Sequence, residues 1–149
     1  PAGWNDQNGN INRGGYVLEK PPLSGQFEVI DGNKNWFQAK DDAIKRGGHL
    51  AVITSLREWT DMHNTKGFRR SLWLGGYQRR DPDDRESGPA EKTQADYEAG
   101  WKWITGEPWN QVNGWSEFNA TGKNLMEPND WGSGEDHLES WPPQDRGRN

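Results

Sequence analysis

Tryptophan, at ten positions in a chain of 149 residues, decides what kind of core this sequence can build. Only 30% of the residues are hydrophobic, too few for a broad aliphatic core, but each indole buries far more area than an average side chain. The expectation is one small, aromatic-rich core wrapped in much loop. The length suits a single domain, and no Pro/Gly/Ser tract is long enough to separate two cores. The sequence has no cysteine, which removes disulfides, thiolate chemistry and most structural zinc sites together.

Charge narrows the partners. The formal net charge is -5, and the acidic residues gather in two stretches, 81–98 and 127–139, where cations are the natural counterpart. No Lys/Arg stripe interleaved with aromatics is present, which argues against nucleic acid. No apolar run approaches the roughly 20 residues of a membrane helix, and no signal-peptide pattern opens the chain, so membrane insertion is not expected. The chain begins at Pro1 rather than Met, as expected of a processed or excised piece.

Local patterns predict the elements. Residues 15–19 read as a short strand, and the following Pro-Pro and Ser-Gly pairs make 20–26 a turn or linker. Residues 27–30 read as a second strand ended by the turn pair Asp31-Gly32. Trp36, Ala39, Ala43 and Ile44 fall at helical spacing with Gly47-Gly48 as the stop, predicting a one-sided surface helix. Residues 50–53 form a third strand candidate, and Ser55 with Glu58 reads as a capping box opening a second helix through about His63. Strands are expected over 72–76, 101–104 and 137–141, with a long surface loop over 78–100 and a second loop-rich stretch over 106–132.

The segment with the most chemistry is 127–136. The carboxylates of Glu127, Asp130, Glu135 and Asp136 and the amide of Asn129 fall within it, and Gly132 and Gly134 let the backbone fold back on itself. Hard oxygen donors at that density suit Ca²⁺, which takes roughly six to eight oxygen ligands in irregular geometry. The residue order is not that of an EF-hand, and an acidic loop that merely solvates itself fits the same composition; both readings stand. His49, His63 and His137 are scattered, no Ser/His/Asp order suggests a nucleophile, and no catalytic centre is read here. A glycosidase carboxylate pair is the minor alternative, since carboxylates committed to a cation are poor proton donors. Asn119-Ala120-Thr121 matches a glycosylation sequon, meaningful only in a secretory host.

A family pattern runs through these segments. Trp36, Ala39 and the run Gly47-Gly48-His49-Leu50-Ala51-Val52-Ile53 come first, then Ser55 and Glu58, then Trp73-Leu74-Gly75-Gly76. Trp101-Lys102-Trp103, Gly106 and Trp115 follow, and then Glu127-Pro128-Asn129. In this order they resemble the C-type lectin-like domains over nearly the whole chain. The resemblance implies an α+β fold, with two helices flanking small antiparallel sheets and long loops. It also implies calcium-dependent carbohydrate binding at an extracellular or cell-surface location, without enzymatic activity.

One part of the family order is displaced. Relatives continue past the strand that ends here near Trp141 with Trp-Asn-Asp and a closing strand. In this chain both stand at the other end, as Trp4-Asn5-Asp6 and residues 15–19. The positions of the usual helix-to-last-strand disulfide hold Ala43 and Leu18, two residues able to pack together. Three arrangements explain the order. Residues 1–19 close their own domain as a circular permutant, with 20–26 as the turn and 27–149 as the main body; or they are donated to a neighbouring copy; or the chain is a window on a tandem array.

The resemblance also implies a site. Calcium would be held by side-chain oxygens of Glu127, Asn129, Glu135 and Asn5 and by side-chain and backbone oxygens of Asp6, with two vicinal sugar hydroxyls completing the shell. Each hydroxyl would donate to a carboxylate (Glu127, Glu135) and accept from an amide (Asn129, Asn5). Glu-Pro-Asn goes with mannose-like equatorial hydroxyls in the family, so mannose, glucose, fucose or N-acetylglucosamine is the expected ligand. Trp131 beside the set either stacks on a sugar face or packs in the loop. Asp130, Glu135 and Asp136 are candidates for a second, structural calcium completed from the 78–98 region. A different class of function is a structural or adhesive subunit that self-assembles as an oligomer, filament or tandem array, with calcium as a staple.

Overall fold

The computed structural model describes residues 3–21, 26–69, 71–85, 92–93, 100–107, 109 and 136–141. In chain order these form β1 (Gly3–Gln7), β2 (Arg13–Glu19), β3 (Phe27–Lys34), α1 (Trp36–Lys45), β4 (His49–Leu50), α2 (Leu56–His63), β5 (Trp73–Tyr77), β6 (Lys102–Trp103) and β7 (His137–Trp141). The class is α+β, with both helices set against one seven-stranded sheet of order β1-β7-β5-β2-β3, β4 adding to β2 and β6 to β5. The small antiparallel sheets expected from the sequence are merged into one mixed sheet. β2 runs parallel to β5, with Tyr16 opposite Trp73, and this pairing joins the N-terminal hairpin to the remaining strands.

Local chemistry sets the boundaries. Asn35 caps α1 by accepting from Gln38 N at 2.8 Å, while its own N–H donates to Gln38 Oε1 at 2.9 Å, closing a reciprocal box. Gly47, at φ 82°, ends the helix in a conformation that suits glycine. Trp36, Phe37, Ala39, Lys40 and Ala43 are buried, but Ile44 is 60% exposed, because the turn from Ala43 carries it off the packed seam. Ser55 Oγ accepts from Glu58 N at 3.1 Å to open α2, and the Glu58 carboxylate reaches back past the cap to the Thr54 N–H and hydroxyl.

Two strand expectations are corrected. Asp31-Gly32 does not turn the chain; β3 runs through it to Lys34, and the register slips between Arg13 opposite Lys34 and Gly15 opposite Asp31. One extra residue on β3 is taken up as a bulge, where Gly32 at φ 142° supplies the needed backbone. Of the strand expected over 50–53, regular strand geometry covers only His49–Leu50, although Ala51 N still donates to Val17 O at 2.9 Å. Beyond it Val52 N donates to the Glu19 carboxylate at 2.9 Å instead of to a ladder carbonyl.

Both faces of the sheet are covered. Tyr16, Leu18, Trp73 and Tyr77 pack with Trp36, Phe37, Ala39 and Ala43 of α1. Val17, Leu72, Leu74 and Leu138 pack on the other face with Met62 of α2 and with Trp101 and Trp103. The tryptophan expectation holds here: Trp36, Trp73 and Trp103 are among the largest fully buried side chains. Burial of each contributes roughly 4–6 kcal/mol before ordering costs. Trp36 Nε1 donates to Leu74 O at 2.8 Å and Trp73 Nε1 to Lys34 O at 3.0 Å, so neither N–H is wasted.

Candidate functional site

The N-terminal strand lies against the strand that follows the acidic segment in the sequence. β1 and β7 pair antiparallel with Asn5 opposite Glu139, Asp6 opposite Leu138 and Gln7 opposite His137. β7 starts at His137, two residues after Glu135. β2 then returns through the sheet and pairs with β3, with Lys20 N donating to Gln26 O at 3.2 Å. Glu127, Asn129, Asp130, Trp131 and Glu135 lie outside the described residues, as does Asn119; Asn5, Asp6 and Asp136 lie within them.

Asn5 is held from behind. Its Nδ2 donates to Glu139 Oε1 at 2.8 Å, and Arg13 Nε donates to Glu139 Oε2 at 2.8 Å. Burial raises the Glu139 carboxyl above its ordinary range, opposed by the Arg13 charge and by hydrogen bonds from Asn5, Arg13 and Gln7. A carboxylate only accepts, so the Asn5 amide is oriented: nitrogen toward Glu139, Oδ1 turned away. Asp6, 1% exposed, sits opposite Leu138 and therefore on the other face of the strand. Glu139 and Arg13 were missed as site residues in the sequence. The only local signal was a carboxylate inside the otherwise regular 137–141 run.

Asp136 sits in a different environment. Its Oδ2 lies 3.5 Å from Arg79 Nη1, and Arg79 Nη2 lies 3.0 Å from Asp84 Oδ1. The expected surface loop thus sends a side chain inward, with Arg79 only 7% exposed. His137 next to it is pushed down to about 3, first by burial and then by the Arg79 charge, with Asp84 opposing. Its neutral ring packs against Trp36 at 4.6 Å and Phe37 at 5.0 Å, and neither ring nitrogen has a hydrogen-bond partner. Among the described residues no group of three or more His, Asp or Glu is arranged to hold a metal ion.

Fold and site together define an α+β domain whose mixed sheet carries, at its edge, a polar strand from the start of the same chain. No family model matches the chain, and no solved structure matches it. It is similar to Halomucin of Haloquadratum walsbyi, 26% identical over 102 residues, which is 65% of this chain and 1% of the length of that protein. Among the described residues no helix is long and apolar enough to cross a membrane.

Proposed function

We propose that the chain is a C-type lectin-like domain that binds carbohydrate through calcium at the cell surface, as a binding module and not an enzyme. The observation that carries this reading is the pairing of β1 with β7, which brings Asn5 and Asp6 beside the strand that the Glu127-to-Glu135 segment runs into. The order β2 between β3 and β5, with β2 and β3 antiparallel, supports a domain in which residues 1–19 serve as the closing strands. The likeness to Halomucin supports a cell-surface setting.

Asn5 and Asp6 carry the oxygen atoms that a hard cation takes as ligands. The bond to Glu139 leaves Asn5 Oδ1 as an oxygen donor, and β1 is the outer strand of the sheet, so an ion at that edge is within reach of both strand faces and of backbone oxygens. Asn5 and Asp6 would hold it together with Glu127, Asn129 and Glu135. The bound ion would supply two coordination positions for vicinal hydroxyls of a mannose-, glucose- or fucose-type sugar. The chain's own residues do the orienting: Glu139 fixes the Asn5 amide, leaving one of its two N–H groups for a hydroxyl, and the carboxylates accept the hydroxyl protons.

A second reading, a self-assembling structural or adhesive subunit, draws on the same pairing. A strand contributed from the start of the chain can be exchanged between copies through the 20–26 turn without changing any contact. Single-site sugar affinity of this kind is weak, and repetition of the domain supplies avidity. A glycan array run with calcium and again with chelator tests the primary reading. Chelator-sensitive binding of mannose-type glycans is expected, and no binding at high avidity removes it.

A further inference from the structure

Asp136 closes the acidic segment and leads into β7, so whatever holds it fixes one end of the candidate site. What holds it is a fixed positive charge. Arg79 lies between Asp84 at 3.0 Å and Asp136 at 3.5 Å, and the three side chains are 6%, 7% and 6% exposed. The backbone repeats the connection: Gln78 N donates to Asp136 O at 2.8 Å, and Lys102 Nζ donates to Arg79 O at 3.3 Å. Arg80 reaches Asp84 from outside at 3.4 Å, with its own side chain 81% exposed.

Two buried carboxylates facing each other need a cation between them, and a divalent ion or a guanidinium meets that need. A guanidinium stays charged at every working pH and forks toward two acceptors at once. We propose that Arg79 is a built-in cation that takes the place of a second divalent ion, anchoring Asp136 and Asp84 and so fixing the point where the segment with Glu127, Asn129 and Glu135 enters β7. Asp136 is then a partner of Arg79 and not a metal ligand, and the domain takes one ion instead of two. The ion count rests on the calcium reading above; the anchoring role does not.

The test is chemical rescue. In chelator, Arg79→Ala should melt several degrees below the wild-type chain, and millimolar guanidinium should restore at least half of the loss while leaving the wild type unmoved; with millimolar calcium in place of chelator, the gap between the variant and the wild type should close by at least half. Arg79→Met, which keeps the packing and drops the charge, should lose nearly as much as Arg79→Ala, and adding Asp136→Asn to it should recover part of the loss. Failure of both cations to narrow the gap between Arg79→Ala and the wild type, with additive losses in Arg79→Met/Asp136→Asn, would overturn the proposal. Calcium titration of Asp136→Asn gives the second arm. One ion per chain is expected, as in the wild type, and two ions in the wild type with one of them lost in the variant would make Asp136 a ligand and overturn it. If the wild type binds no calcium, the lectin reading fails, while the melting experiments in chelator with guanidinium still decide the role of Arg79.

Discussion

Asn5 and Glu139, separated by 134 positions in sequence, meet in a 2.8 Å hydrogen bond between facing strands. The same carboxylate holds Arg13 at 2.8 Å. One buried acid therefore orients a candidate calcium donor and ties both N-terminal strands to β7. Glu139→Ala leaves a half-buried guanidinium and a buried amide without their acceptor and should cost about 2 kcal/mol in urea denaturation. Glu139→Gln keeps one acceptor and should cost about half as much. Equal stability of all three proteins would remove Glu139 from this role.

Acid should destabilise the domain through His137. The folded value of about 3 lies below the ordinary 6.5, so the unfolded chain takes up a proton that the folded chain refuses. This contribution is constant above about pH 6.5, and stability falls by about 1.4 kcal/mol per unit as the pH drops from there toward 3. The groups facing the ring are Arg79, Asp84, Trp36 and Phe37. In chelator, His137→Leu should flatten this slope and be more stable than the wild type at pH 5 by about 2 kcal/mol. An unchanged slope would mean that His137 titrates normally.

The turn after α1 was legible in part. Gly47-Gly48 marks the helix stop in the sequence, and Gly47 does end it at φ 82°. The reason for Gly48 is different and long-range: a Cβ there would lie 2.4 Å from the Glu19 carbonyl oxygen and 3.0 Å from Leu18 Cδ1. Gly48→Ala should cost about 2–3 kcal/mol by overpacking the junction of β2 with β4. A loss under about 0.5 kcal/mol in thermal unfolding would show that the junction yields.

What could be read from the sequence was what is local. Caps and periodicity give α1 and α2 nearly to the residue, and apolar-polar alternation gives β7 over the observed range, because each signal lies within a few positions. β1 was not read as a strand, since Gly-Trp-Asn-Asp-Gln carries no alternation and its partner stands at the far end of the chain. The Asp31-Gly32 pair was misread for a related reason: turn chemistry is local, but the neighbouring β2 decides whether the glycine turns or bulges. At the candidate site, Asn5 and Asp6 were singled out by their order in a family resemblance, whereas Glu139, Arg13 and Arg79 act through contacts that no spacing rule marks.

Closure within one chain has its own consequence. Leu18 and Ala43 are both fully buried in the same cluster. Leu18→Cys with Ala43→Cys should oxidise to a bridge inside one molecule and leave a monomer on non-reducing gels and in light scattering. A ladder of covalent oligomers would show that residues 1–19 serve a neighbouring copy instead.

In the proposed site, oxygen donors from the first residues and from the acidic segment share one ion. Calorimetric calcium titration of the wild type, Asp6→Asn and Glu127→Gln tests it most directly. One ion per chain in the wild type, with affinity reduced about tenfold or more in each variant, is predicted. Calcium binding by Asp6→Asn indistinguishable from wild type would contradict it, because the ion would then belong to the acidic segment alone.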